Sequence, residues 1–133
     1  MVDQTTRYGI SITVALPYDQ AVERTREALA TEGFGVLSEI DVAATLKKKL
    51  DVEFRPYVIL GACNPGFAFK ALQEETRIGT MLPCNVILQQ VGEGLVEVSA
   101  VDPIASMQGV NNPGLASIAG DVRELLRQAV DGL

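Results

Sequence analysis

The run Val86-Ile87-Leu88-Gln89-Gln90-Val91, the connector Gly92-Glu93-Gly94 and the run Leu95-Val96-Glu97-Val98-Ser99-Ala100-Val101 together decide the fold. Two apolar runs rich in β-branched residues, joined by a short glycine-containing loop, predict a β-hairpin. A hairpin forces antiparallel pairing, so its sheet is not the all-parallel sheet of a doubly wound fold. Downstream, Asp102-Pro103 opens a polar loop that runs to Asn112-Pro113. Asn suits the cap and Pro the first turn of a helix, and here they precede the strongest helical pattern in the chain. Leu115, Ile118, Ala119, Val122, Leu125, Leu126, Ala129 and Val130 recur at the i, i+3, i+4, i+7 spacing of one buried helix face. That face is predicted to lie on the sheet.

Upstream of the hairpin, Tyr8, Ile10, Ile12 and Val14 alternate with smaller or polar residues and predict a first strand. Pro17 and Asp19 then open a helix with Ala21, Val22, Thr25, Ala28, Leu29 and Glu32 on one face, and Gly33 supplies a left-handed stop. Phe34 to Ile40 reads as a second strand, and Asp41 caps a short helix on which Val42, Leu46 and Leu50 form a stripe. Tyr57 to Ala62 is apolar throughout and reads as a buried, central third strand. Asn64-Pro65 starts another helix carrying Phe67, Ala68, Ala71 and Leu72 and ending near Thr76, and a linker with Gly79 and Pro83 leads to the hairpin. The order β-α-β-(α)-β-(α)-β-β-α predicts an α+β domain spanning residues 1–133, with residues 1–7 expected to be flexible. Neither GxGxxG nor GxxxxGK[ST] occurs, which removes the usual phosphate-binding loops.

Composition narrows the function further. Of 133 residues, 47% are hydrophobic, enough for one continuous core. Seventeen acidic against 11 basic residues give a net charge of −6, which repels nucleic-acid backbones and anionic lipid surfaces, so neither nucleic acid nor membrane is an expected partner. No apolar stretch approaches the roughly 20 residues needed to cross a bilayer. Met1 to Arg7 lacks the basic flank and apolar centre of a secretory signal, so the expected location is cytoplasmic with both cysteines reduced. Histidine is absent, which excludes Ser-His-Asp and Cys-His catalysis and most zinc sites. Any chemistry must therefore come from thiols, carboxylates, Lys, Tyr or backbone dipoles.

Two turns stand out. Cys63 precedes the helix opened by Asn64-Pro65, where free N–H groups favour a thiolate or an anion; it also fits the end of a buried strand, as a small hydrophobe. Cys84 begins the fourth strand in Leu82-Pro83-Cys84-Asn85, and the same two readings apply. Each cysteine is followed by Asn. If the strand ends meet, the thiols form a reversible disulfide or bind a soft metal, with Met81 as a third ligand. Asp102, at the end of the fifth strand, either faces a cleft or starts an Asp-Pro turn, and the turn is the commoner use. Lys47, Lys48 and Lys49 read as a solvated helix face.

The chain resembles the family called domain of unknown function 302 over nearly its whole length. The resemblance rests on Gly33-Phe34, Ile40-Asp41, Leu46-Lys47-Lys48-Lys49-Leu50-Asp51, Pro56-Tyr57 and Leu60-Gly61-Ala62-Cys63-Asn64-Pro65. It continues through Ile78-Gly79, Leu82-Pro83-Cys84-Asn85-Val86 and Val101-Asp102-Pro103. It implies a curved, largely antiparallel five-stranded sheet backed by helices, similar to the TATA-binding-protein arrangement, and it implies no activity. A shared fold does not make a DNA binder.

The leading functional expectation is a binding domain that holds a small ligand, anion or metal where Cys63, Asn64, Cys84, Asn85 and Asp102 converge. An alternative is a homo-oligomeric interaction domain, a homodimer, without small-molecule chemistry. A second alternative is a thiol redox enzyme or sensor. A non-enzymatic role is favoured, and the sequence specifies neither a cofactor nor a reaction.

Overall fold

The computed structural model describes residues 6–133; residues 1–5, most of the segment expected to be flexible, lie outside the described residues. In chain order the elements are β1 (Gly9–Val14), α1 (Tyr18–Thr31), β2 (Gly35–Asp41), α2 (Val42–Leu50), β3 (Tyr57–Cys63) and α3 (Pro65–Glu74). A 3₁₀ turn (Thr76–Met81), β4 (Cys84–Gly92), β5 (Leu95–Val101), α4 (Pro103–Ser106) and α5 (Pro113–Asp131) complete the chain. The hairpin predicted from residues 86–101 joins β4 and β5, pairing Val86 with Ala100 and Gln90 with Val96. The sheet order is β1-β5-β4-β3-β2, and every neighbouring pair is antiparallel. This is the α+β architecture predicted. β3 is interior but not central, because β4 holds the middle and β3 lies next to the edge strand β2.

Strand alternation sends one set of side chains to a helix-covered face. Ile10, Leu60, Val86, Leu88, Val96 and Val98 are essentially inaccessible there and meet Leu29 of α1 and Val122, Leu126 and Val130 of α5. The α5 stripe read from the sequence is therefore core, with Leu115, Ala119, Val122, Leu126, Ala129 and Val130 buried. A smaller cluster of Ala71, Ile78, Met107, Leu115 and Ala119 fills the space among α3, the 3₁₀ turn, α4 and α5. The sequence predicts loop where the 3₁₀ turn and α4 stand. α4 is a single turn that Asp102 caps and Pro103 opens, too short to show a periodicity.

Local signals act largely as predicted. α1 ends in a Schellman arrangement: Phe34 N–H donates to Leu29 O (2.9 Å), Gly33 N–H donates to Ala30 O (3.0 Å), and Gly33 has φ 86°, a conformation that favours glycine. Asp41 Oδ1 accepts from Ala44 N–H at 2.9 Å and caps α2. Asn112 Oδ1 accepts from Gly114 N–H at 2.9 Å and caps α5. The stripe on α2 behaves differently. Val42, Ala43 and Leu46 are only half-buried, Leu50 is 65% exposed, and no α2 residue enters the core.

Candidate functional site

Ala62 of β3 pairs with Cys84 of β4, so Cys63 and Cys84 lie at the same end of the sheet on neighbouring strands. Cys63 is half-buried and Cys84 is buried. Burial, with a smaller contribution from the neighbouring Cys63, pushes the Cys84 thiol up to about 11. Cys84 is thus neutral at physiological pH. Both thiols and Asn64 line a pocket with Phe34, Phe67 and Met107, under α3 and α5. Its volume is about 30 Å³, which is the space of roughly one water.

The five residues expected to converge separate into three places. Cys63, Asn64 and Cys84 share the pocket. Asn64 does not cap α3; its Nδ2 donates to Glu32 O at 3.3 Å instead, tying the start of α3 to the end of α1. Asn85 lines the opposite face of the sheet. Successive strand residues point to opposite faces, so adjacency to Cys84 in sequence separates the two side chains in space. Asp102 is buried and internally bonded: Oδ1 accepts from Ile104 N–H (2.9 Å), capping α4, and Oδ2 accepts from Arg123 Nε (2.9 Å) on α5. The Asp-Pro turn reading holds and the cleft-facing reading does not. Met81 is 40% exposed and does not line the thiol pocket. Among the described residues no group of three or more His, Cys, Asp or Glu can hold a metal ion.

A larger concavity, about 300 Å³, lies on the sheet face away from α1 and α5, where the sequence predicts no site as such. Among the described residues no helix contributes to its lining. Ser11, Ser99, Gln89, Glu97 and Asn85 supply polar groups to it, and Tyr8, Tyr57 and Ile87 supply apolar surface. Register sets the polar pairs: Ser11 sits opposite Ser99 and Gln89 opposite Glu97. The two serine hydroxyls are 2.6 Å apart, and Gln89 Nε2 donates to Glu97 Oε1 at 3.0 Å. Thr6 also lines the concavity, and its Oγ1 is buried without a hydrogen-bond partner among the described residues. Thr6 reaches this position because Gly9 has no Cβ; one there would approach Thr6 Oγ1 to 2.8 Å. The available signal was the placement of Gln89, Glu97 and Ser99 between apolar residues, which marks a second face but not its hollow.

Electrostatics differ between these surfaces. Among the described residues no Lys or Arg lines the open-face concavity. A separate hollow between α1 and β2 is rimmed by Asp19, Glu23, Glu39 and Asp41 around Tyr18. Burial, then Asp41, Asp19 and Glu39, push the Tyr18 hydroxyl up to about 12.

The comparisons with known proteins agree with this architecture. The sequence model of the family described as "Domain of unknown function DUF302" matches residues 10–133. No match is found among curated proteins. The chain is similar to the crystal structure of an uncharacterised conserved DUF302 protein from Bacillus stearothermophilus, with a TM-score of 0.87 and 31% sequence identity over 95% of this chain and 98% of that one.

Proposed function

The chain belongs to the DUF302 family, and from that premise we propose that it is a binding domain whose ligand sits in the concavity on the open face of the sheet rather than between the cysteine turns. The observation that carries this reading is the Thr6 hydroxyl, buried and unpartnered among the described residues in the wall of a hollow of about 300 Å³. An unmade hydrogen bond on a buried hydroxyl costs roughly 1–3 kcal/mol, and a ligand group that meets Thr6 once its side chain turns toward the hollow would remove that cost. The volume is at the lower end of small-molecule sites, which run from about 300 to 1,000 Å³. The thiol pocket, near 30 Å³, would have to open before it held anything larger than water.

The lining narrows the ligand class. Hydroxyls and amides flank aromatic and aliphatic surface, and the carboxylate of Glu97 is engaged by Gln89. With no Lys or Arg in the lining among the described residues, an anion would enter without a partner, which is costly. The ligand is therefore a small uncharged molecule with hydroxyl or amide groups and a flat apolar part. Of the residues singled out in the sequence, Asn85 belongs to this surface.

The test is a backbone amide NMR titration against a panel of neutral hydroxyl- and amide-bearing small molecules. Shift changes should centre on Ser11, Asn85 and Ser99 and should vanish in Ser99→Tyr, which fills the hollow. Changes centred on Cys63 and Cys84 would return the site to the thiol pocket. No change with any compound would refute the binding reading.

A further inference from the structure

We infer that the arm formed by β2, α2 and the segment leading to β3 is a homodimer interface, occupied by the same arm of a second copy. No residue from 35 to 56 is buried, and only Val36, Val42, Ala43 and Leu46 are even half-buried. Apolar side chains are nonetheless concentrated there: Leu37 is 72% exposed, Leu50 65% and Ile40 49%, with Val52 and Phe54 close behind. β2 is an edge strand that pairs only with β3, so its outer side carries unpaired backbone groups.

The arm is ordered without a core of its own. A nine-residue helix in water is marginal at best, because helices shorter than about 12–15 residues do not offset their nucleation cost. The devices that hold α2 locally are small. They are the Asp41 cap and the pairs from Lys47 Nζ to Asp51 and Glu53, both 2.9 Å and both well exposed. Asp51 ends the helix in a left-handed conformation (φ 54°), which favours glycine or asparagine and adds a further cost. Fixing so many residues needs apolar burial, and among the described residues the β3 ladder, the Arg26–Glu39 pair and the half-buried Val36, Val42, Ala43 and Leu46 supply only part of it.

A second copy fits on two counts. Stable interfaces take about 20–30 residues from each side, and residues 35–56 are a run of that length. Charge is self-complementary as well. α2 carries Lys48 and Lys49, while the neighbouring rim carries Asp19, Glu23 and Asp41 beside a Glu39 already paired with Arg26, so a twofold axis can set the bases of one arm against the acids of the other. Leu37, Ile40, Leu50, Val52 and Phe54 then form the apolar centre and the charges its rim. Phe54 packs beside Tyr57 of the concavity's lining, with ring centroids 6.1 Å apart, so the variants that let either reading fail without the other are made at Leu37 and Leu50, which do not line it.

Sedimentation velocity on the full chain should give twice the chain mass of 14.2 kDa, dissociating on dilution. The double variant Leu37→Asp, Leu50→Asp should weaken the dimer about 30-fold or more with unchanged circular dichroism, because both side chains are exposed in the single copy. If that variant does not fold, hydrogen exchange on the wild type decides: amides 42–50 should lose protection on dilution. A wild type that stays monomeric, a variant that associates as tightly as wild type, or protection at 42–50 independent of concentration would each overturn the interface.

Discussion

Asp102→Ala removes two bonds that join three elements, because one carboxylate caps α4 and reaches across to Arg123 on α5. The lost cap costs about 1 kcal/mol, within the usual range for replacing an N-cap by alanine. A charge-assisted bond is worth roughly 1.5–3 kcal/mol, and the lower half applies because the Arg123 side chain keeps 28% of its surface in water. Together the variant should lose about 3 kcal/mol, or roughly 10 °C in Tm for a domain of this size. Asp102→Asn keeps an acceptor for Ile104 N–H but gives up the charge, so about half the loss is expected. Urea denaturation of the two variants, of Arg123→Met and of Asp102→Ala/Arg123→Met closes a double-mutant cycle. Its coupling term should be about 1–2 kcal/mol, with the denaturant slope unchanged. A loss under about 0.5 kcal/mol for Asp102→Ala, with strict additivity in the cycle, would refute the structural role.

Leu126 is fully inaccessible in the core, so Leu126→Ala should cost about 2–5 kcal/mol. Arg127 is exposed and 3.9 Å from Glu124, and Arg127→Ala should stay within about 0.5 kcal/mol; equal melting shifts would show that the buried face of α5 is misplaced. Cys84 stays neutral in the fold to about 11 against 9.0 unfolded, so the folded state binds the extra proton. Its stabilising contribution is therefore present below pH 9 and lost between 9 and 11, by at most about 3 kcal/mol. Tyr18 adds a loss of its own above pH 10, so the Cys84 share is the difference between wild type and Cys84→Ala in the alkaline limb of stability. Wild type and variant falling in parallel would contradict the shift. Brief iodoacetamide treatment at neutral pH should label half-buried Cys63 before Cys84, and peptide mass spectrometry reads the order directly.

Features that depend on residues near one another in sequence were readable before the structure. The hairpin at Gly92 to Gly94, the stop at Gly33, the caps at Asp41 and Asn112 and the α5 stripe each follow from a few neighbouring residues. The cysteine turns do meet at one sheet end, because antiparallel β3 and β4 place Ala62 opposite Cys84. Contacts set by packing were not readable. The Asp102–Arg123 pair needs α5 laid across the end of β5, and the open-face hollow needs Thr6 folded beside Gly9. Asn85 shows how strand geometry misleads a linear reading, since one step along β4 moves a side chain through the sheet. The α2 stripe shows a second failure: helical periodicity predicts an apolar face but not what covers it.

The sheet's two faces and its β2 edge therefore carry different chemistry. One face is spent on α1 and α5, and its apolar residues are buried to a few per cent. The other face has no helix over its hollow, yet Ser11 on it is only 4% exposed. That burial is tolerated because the side chain bonds to Ser99 across the strands, which leaves Thr6 Oγ1 as the unsatisfied hydroxyl in the wall among the described residues. The β2 edge has the opposite character, with bare apolar side chains and unpaired backbone. Polar groups that satisfy one another can wait in water for a small ligand, whereas exposed Leu37, Leu50 and Phe54 gain most from a surface that removes them from it. Ligand binding on the open face and association through the arm are thus compatible, and titrating the Leu37→Asp, Leu50→Asp monomer should leave small-molecule shifts at Ser11 and Ser99 intact. Loss of those shifts in a folded monomer would mean that the hollow is completed only when two copies associate.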